Sequence, residues 1–333
     1  MMTSRERFRK TMAYHKPDRV PYFEEGIRKE VLRAWRKQGL SSETEFARMF
    51  PCDRREEIEL NLDPIPMPRK WPSSRLELKA FRKRLDPDTS TRWPADWPGK
   101  VRRWRKRDHV LMLRVHRGFF LSMGVHDWSR FADVVRLAVK EPEFVREMMG
   151  IQGEFATRMA ERVLNEVEVD AAVFTEPIGG NDRPLISPSM YEDFVLTNHE
   201  PLLALLRRHS IETIVFRTFA NSRLLIPSIL NWGFNCLWAC EVNIDAMDYR
   251  DIRREFGRKL RLIGGIDLDV LLQDRAAIRR EIEQRVPHLL ADGGYIPLAD
   301  GRVREDMPFE NYIYYRHLLE QVTSSINAKE NQT

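Results

Sequence analysis

The second half of the chain alternates between apolar segments of about six residues and amphipathic segments of helical length. The apolar segments are rich in β-branched side chains, which is typical of β-strands, and the amphipathic segments predict helices. Repeated strand and helix pairs of this kind indicate a parallel sheet. The strands predicted in this half are residues 171–176, 213–218, 236–241, 260–267 and 295–300.

The helices predicted around these strands have recognisable ends. Ser187, followed by Pro188, predicts a helix start, because serine caps helix N-termini and proline is favoured at the first helical position. Gly233 and Gly257 predict helix ends. Ser4 predicts the start of a helical segment at the N-terminus.

The first half of the chain is less regular, but segments 19–24, 57–62 and 110–116 are also predicted as strands. Eight strands with intervening helices in 333 residues favour an α/β fold of the closed (β/α)8 TIM-barrel type, as a single domain over 1–325. Residues 64–107 are predicted as an excursion between the second and third strands that carries one short helix and could cover the barrel mouth. Residues 326–333 are predicted as a flexible tail.

Composition and charge indicate where in the cell the protein is expected and which classes of binding partner are not. Hydrophobic residues make up 42% of the chain, which is enough for a large core, and the formal net charge is +5. The cationic run at 100–109 is typical of a solvated face, so no nucleic-acid partner is expected. No apolar run is long enough to span a membrane, and the N-terminus lacks the apolar region of a signal peptide. With three cysteines, a disulfide framework is not expected, and we predict a cytoplasmic protein without a membrane partner.

Polar and ionisable residues stand at the end of nearly every predicted strand. Because the C-terminal ends of barrel strands meet at one mouth, these residues predict a polar pocket. The candidate acid–base groups are His116, Glu176, Glu241 and Asp267, and Arg217 is a candidate for binding a substrate anion. Three alternatives stay open: Asp267 could be only a helix cap, Arg217 could pair with one of the acids, and His116 could be structural.

The chain resembles the uroporphyrinogen decarboxylase superfamily in the motifs "TSRERFRKTMAYHKPDRVPYFE", "HRGFF", "PLISPSMYEDFV", "LRLIGGID" and "GGYIPLADGRVREDMPFENYIYY". The resemblance covers about residues 3–322 and implies a (β/α)8 barrel. The superfamily includes cofactor-free decarboxylases of porphyrinogens. It also includes zinc-dependent methyltransferases that work with corrinoid proteins or thiols.

The chain departs from the superfamily patterns at positions that would bind substrate and metal. Where the decarboxylases carry an arginine-rich motif, this chain reads "YFEEGIRKEV", in which Arg28 and Lys29 are the nearby cations. Where the methyltransferases have an H-x-C zinc pair, it has Arg217 and Phe219, neither of which can bind zinc. We therefore expect no metal and no zinc cofactor. Of the patterns of zinc-free relatives, this chain retains Asn221 and Asp300 but not the paired acids or the histidine. Asn221, Asp300 and Arg28 are predicted, with Arg217, to bind substrate.

Three functional hypotheses follow from these patterns. The first is a decarboxylase-like or lyase-type enzyme that acts on a small anionic organic substrate by metal-independent acid/base chemistry. The second is a methyltransferase that works with a corrinoid protein or a thiol acceptor. The third is a non-catalytic barrel that binds a ligand or a partner protein. Barrels of this superfamily are often dimers, so a homodimer is left open.

Overall fold

Seven β-strands are present in the residues that the computed structural model describes, 1–241 and 246–330. They are neighbours in chain order within one sheet, and the pairs β2–β3, β3–β4, β5–β6 and β6–β7 are parallel. The predicted α/β fold with a parallel sheet is confirmed, as are seven of the eight predicted strands. The strands are β1 (Arg55–Glu59), β2 (Val110–His116), β3 (Ala171–Glu176), β4 (Ile214–Phe219), β5 (Cys236–Cys240), β6 (Arg261–Ile266) and β7 (Tyr295–Ala299).

The segment 19–24, predicted as the first strand, does not form a strand. Pro21 has no N–H to donate to a neighbouring strand. The next residue, Tyr22, exchanges its backbone hydrogen bonds with Asp53: its N–H donates to the Asp53 carboxylate at 2.8 Å, and its carbonyl accepts from the Asp53 N–H at 2.7 Å. Asp53 therefore satisfies the backbone N–H and carbonyl of Tyr22, which would otherwise pair with a neighbouring strand.

The chain divides into two units. Unit one comprises Met1–Arg55, Asp108–Val110 and Cys236–Thr333, and contains β5, β6 and β7. Unit two comprises Glu56–Arg107 and Leu111–Asn235, and contains most of β1 and β2 together with β3 and β4.

The α-helices lie before the first strand, between the strands and after the last one. In the described residues they are α1 (Ser4–Met12), α2 (Lys29–Lys37), α3 (Glu43–Met49), α4 (Arg75–Arg82), α5 (Trp97–Arg105), α6 (Phe119–Ser122), α7 (Phe131–Lys140), α8 (Pro142–Glu166), α9 (Pro188–Tyr191), α10 (Glu200–Arg208), α11 (Ile226–Asn231), α12 (Tyr249–Phe256), α13 (Arg275–Ala291) and α14 (Phe309–Glu330).

The predicted helix ends agree with the structure. Ser187 caps α9 by accepting a hydrogen bond from the Met190 N–H, and Gly233 and Gly257 follow α11 and α12 with φ of +93° and +57°. Helix α1 begins at Ser4, as predicted, and is capped by Thr3. The Thr3 side chain and the Glu6 carboxylate satisfy each other's backbone N–H groups, which forms a capping box.

In unit two, side chains alternate between the two faces of the sheet along β3 and β4, so the last residues of these strands lie on different faces. Thr175 pairs in register with Arg217, and Glu176 pairs with Thr218. Because successive strand residues point to opposite faces, Glu176 shares a face with Phe174, whereas Arg217 lies on the other. Phe174 packs edge-to-face against Phe234, with the ring centroids 4.7 Å apart, so its face is an aromatic core.

The excursion at 64–107 contains the predicted helix, α4, and a second helix, α5, that was not predicted. The Arg92 side chain is buried at its centre. Its guanidinium donates to the carbonyl oxygens of Asn61, Asp63, Arg84 and Asp86 at 2.5–2.9 Å. One cation thus connects the residues just before the excursion with those in its middle. Whether the excursion covers an active site stays a prediction.

Helix α14 continues to Glu330, so the backbone is helical in the first part of the predicted tail at 326–333. Residues 331–333 lie outside the described residues. No helix in the described ranges combines the length and the hydropathy needed to cross a membrane.

Candidate functional site

A cavity of about 360 Å³ lies at the C-terminal ends of β5, β6 and β7 in unit one. Glu241, Asp267 and Asp300 each follow the last residue of one of these strands. The structure therefore brings together four of the predicted site residues, these three acids and Arg28. We call this cavity the strand-end pocket, and its lining is Arg28, Glu241, Asp267, Leu268, Asp269, Asp300, Arg302 and Arg304.

Two of the acids in the strand-end pocket also hold the loop that follows β6. The buried Asp300 accepts a hydrogen bond from the Leu268 N–H at 3.0 Å. Asp267 accepts one from the Asp269 N–H at 2.9 Å, so it is a cap, as the open alternative for this residue proposed. Both carboxylates line the pocket as well, and their catalytic or substrate-binding roles stay predictions.

Glu241 differs from these two acids in that its carboxylate does not hold a loop. Its backbone has φ +49°, and its N–H donates to the Asp300 carbonyl at 2.5 Å. Its side chain is exposed, and it makes no hydrogen bond or ion pair with any other residue in the described ranges. This carboxylate is therefore available to a ligand as a proton donor or acceptor.

Three arginines supply positive charge to the strand-end pocket. Arg304 pairs with Asp269, and this contact raises the pKa of the Arg304 guanidinium. Arg28 and Arg302 are exposed and form no ion pair or hydrogen bond through their side chains with the residues that the structure describes. Arg302 and Arg304 were not predicted from the sequence, although "ADGRVRED" places both directly after the last strand. Two guanidinium groups are thus available to bind an anion.

The predicted acid–base residues His116 and Glu176 form a buried pair in unit two. His116 Nε2 lies 3.0 Å from Glu176 Oε2, and the other oxygen of Glu176 accepts from the Phe119 N–H at 2.8 Å. Both side chains are at most 2% exposed. The structure therefore encloses the pair, and its catalytic role stays a prediction.

A further histidine, His199, was not predicted from the sequence and belongs to the same buried cluster. Its ring centroid is 4.6 Å from that of His116. Burial, together with the neighbouring ring of His116, lowers the pKa of His199 to about 3, so the His199 ring is neutral at pH 7. Its Nδ1 bonds to the Val195 carbonyl at 2.9 Å. The single "H" of "LTNHEP", inside an apolar helix pattern, was the signal in the sequence.

Arg217 lies at the end of β4 in unit two, as predicted, but it is already bound. Its guanidinium makes two hydrogen bonds to the Glu57 carboxylate, at 2.8 and 2.9 Å, and a third to the Thr175 hydroxyl at 2.9 Å. This agrees with the open alternative that Arg217 pairs with an acid, although Glu57 was not among the acids considered. A substrate anion at Arg217 would compete with Glu57.

The predicted substrate-binding residue Asn221 supports the neighbouring loops of unit two. Its amide nitrogen donates to the Asp182 carbonyl at 2.8 Å, and its side-chain oxygen accepts from the Arg223 N–H at 3.1 Å. Its role in substrate binding stays a prediction.

The side chains at the superfamily's zinc positions do not fit that metal. Arg217 and Phe219 offer no lone pair to zinc. No group of three His, Cys, Asp or Glu side chains in the described residues is arranged to hold a metal ion. No step of the proposed chemistry is therefore assigned to zinc.

Comparison with known proteins supports the resemblance seen in the sequence. Residues 125–312, more than half of the chain, match the family model of uroporphyrinogen decarboxylase (URO-D). A solved structure of a methyltransferase from Methanosarcina mazei is similar, with a TM-score of 0.60 over 96% of this chain and 99% of that chain. At 13% sequence identity this similarity shows the fold alone. No curated protein matches the chain. On the family match, the chain belongs to the uroporphyrinogen decarboxylase family.

Proposed function

We propose that the chain is an enzyme that acts on a small anionic organic substrate in the strand-end pocket, by metal-independent acid/base chemistry of the decarboxylase or lyase type. The observation that carries the proposal is the arrangement in this pocket: the exposed guanidinium groups of Arg28 and Arg302 share it with the exposed carboxylate of Glu241. In parallel α/β folds, active sites lie at the C-terminal ends of the strands.

The same proposal includes a closed eight-stranded barrel. Seven strands that are neighbours in chain order, with helices between them, are the pattern of a (β/α)8 barrel. Residues 19–24 precede β1 and form no strand in the structure, and in this proposal they occupy the eighth position.

In this chemistry the arginines hold the substrate by a carboxylate group, through charge-assisted hydrogen bonds. In a decarboxylation, the bond between the carboxylate and its carbon breaks, carbon dioxide leaves, and the electron pair stays on the carbon. The fixed positive charge of these arginines stabilises the negative charge that develops on that carbon. Glu241 then transfers a proton from solvent water to that carbon, where it replaces the carboxylate.

The proposal is tested first by a thermal-shift screen with small carboxylates and methoxylated aromatic compounds, because a ligand that binds the folded state raises its melting temperature. The hits are then assayed for carbon dioxide release. Glu241→Gln is expected to reduce kcat by about 10²-fold or more, the usual contribution of a general acid. The matched control is Glu283→Gln, which changes an exposed acid on α13 that pairs with Arg279. Equal kcat in the two variants would contradict the role given to Glu241.

A methyltransferase that works with a corrinoid protein or a thiol is the second candidate. The observation that favours it is the structural similarity to the methyltransferase from Methanosarcina mazei. Methoxylated compounds that stabilise the protein, and that lose a methyl group only when an acceptor is added, would support this candidate over the first. If no compound is converted although ligands bind, the non-catalytic barrel is the better description.

A further inference from the structure

We propose a second binding site in unit one, for a small oxyanion of the phosphate type, at the end of β7 that is opposite to the strand-end pocket. A cavity of about 250 Å³ is lined there by Tyr295, the first residue of β7, whereas Asp300 at the other end of the strand lines the strand-end pocket. We call this cavity the Tyr14 pocket. Its other walls are the loop after α1, with Tyr14, His15 and Lys16, residue Arg258, and the turn that contains Asp292.

The ring of Tyr14 is a fixed wall of this cavity. Tyr14 has φ +57°, a left-handed conformation, and its ring lies against the turn at Gly293 and Gly294. A Cβ atom on Gly294 would lie 2.3 Å from the Tyr14 ring, and Gly294 itself has φ +62°. Only glycine permits both the conformation and this close approach, so the "GG" before β7 shapes the cavity.

Three guanidinium groups surround the same ring. Those of Arg253, Arg258 and Arg261 lie 5.9, 4.5 and 5.3 Å from the centroid of Tyr14. Arg253 donates to the carbonyls of the 293–294 turn, and Arg261 donates to the Met12 carbonyl at 2.6 Å.

None of the three arginines forms an ion pair with a carboxylate in the described ranges. Arg258 also lacks a side-chain hydrogen bond to any described residue, and it lines the cavity. Arg253 is buried and Arg261 is half-buried, whereas Arg258 is exposed. Like charges repel each other, and buried charges are normally paired.

An anion in the cavity would supply the missing counter-charge. The residues that line it include one acid, Asp292, whereas three guanidinium groups surround its Tyr14 wall. A phosphate group carries between one and two negative charges at pH 7 and has three acceptor oxygens, which suits a planar guanidinium fork. This charge balance favours a phosphate-type ligand over a monocarboxylate.

The test is a calorimetric titration of the purified full chain with inorganic phosphate at constant ionic strength. We expect saturable binding that Arg258→Met weakens by about tenfold or more, the loss of one charge-assisted contact. Arg302→Met, in the strand-end pocket, and Arg254→Met, an exposed arginine of α12, should bind phosphate as the wild type does. Arg258→Gln serves as a second variant if Arg258→Met does not fold.

Two results would overturn the site: the absence of saturable phosphate binding, or binding that Arg302→Met weakens and Arg258→Met does not. The second result would place phosphate in the strand-end pocket, so it leaves the proposed function standing while it removes this site.

Discussion

The Arg217 guanidinium in unit two is held by the Glu57 carboxylate through two hydrogen bonds. Both side chains are only about one-tenth exposed, so water compensates little if one partner is lost. Glu57 also lies 3.5 Å from the guanidinium of Arg114. One carboxylate of β1 therefore stabilises cations on two other strands of the same unit.

We expect Glu57→Gln to lower the free energy of unfolding by about 3 kcal/mol, because it leaves a nearly buried guanidinium without its counter-charge. Glu59→Gln, on the same strand but 59% exposed, should cost less than about 1 kcal/mol. Urea unfolding of the two variants measures the difference. Equal losses would show that Glu57 is not the partner that holds Arg217.

His199 makes the stability of the protein depend on pH. Its pKa of about 3 in the folded state lies below the usual value of 6.5. Between these two values the unfolded chain binds a proton on this ring that the folded chain does not, so stability falls as the pH falls. The full contribution is present above pH 6.5, and its loss approaches about 1.4 kcal/mol for each pH unit below it.

His199→Gln should therefore reduce the slope of unfolding free energy against pH between 6.5 and about 5, compared with the wild type. The matched control is His288→Asn, which changes an exposed histidine of α13. Urea unfolding at several pH values gives the slopes. A slope that is unchanged in His199→Gln would mean that the ring is protonated in the folded protein.

At the scale of elements, the excursion at 64–107 shows that a composition rich in proline, tryptophan and arginine does not exclude helix. Helix α5 begins with "WPG", in a part of the excursion where no helix was predicted. Asp96 caps this helix by accepting from the Gly99 N–H at 3.2 Å, and a Cβ on residue 99 would lie 2.1 Å from the same carboxylate. The proline and the glycine thus belong to the helix start, but the sequence alone does not show that contact.

Arg92→Met should loosen the excursion, because four carbonyl oxygens lose the buried cation that they share. Each lost bond to a charged donor costs about 1.5–3 kcal/mol when its partner stays buried. Faster amide exchange and proteolysis across 61–107 would report the change. Arg82→Met, which removes an exposed pair with Glu154, is the control and should leave both rates unchanged.

The strands show which part of the site could be predicted. A polar residue directly after an apolar run marks the C-terminal end of a strand, so Glu241, Asp267 and Asp300 were found and lie together. The face on which a strand-end residue lies depends on register, which the sequence does not contain. Glu176 and Arg217 are one register step apart, on opposite faces. Arg302 and Arg304 were missed because only the residue at each strand end was considered, and they lie three and five residues after β7.

At the scale of the whole molecule, the family was readable from motifs and is confirmed by the family match, and the parallel α/β fold was readable from the alternation of strands and helices and is confirmed by the strand pairing. The strand predicted at 19–24 was wrong: Pro21 has no N–H to donate, and the N–H of Tyr22 donates to Asp53. Within unit one, the two ends of β7 border two different cavities. The strand-end pocket is lined by arginines and acids, and the Tyr14 pocket has cations around a tyrosine.

The central claim is that the strand-end pocket binds an anionic substrate through Arg28 and Arg302. The most direct measurement is a calorimetric titration with the carboxylate that stabilises the protein most, using wild type, Arg302→Met and the control Arg254→Met. We predict that Arg302→Met weakens binding by about tenfold or more, the equivalent of about 1.4 kcal/mol, and that Arg254→Met binds as the wild type does. Equal dissociation constants for all three proteins would contradict the claim.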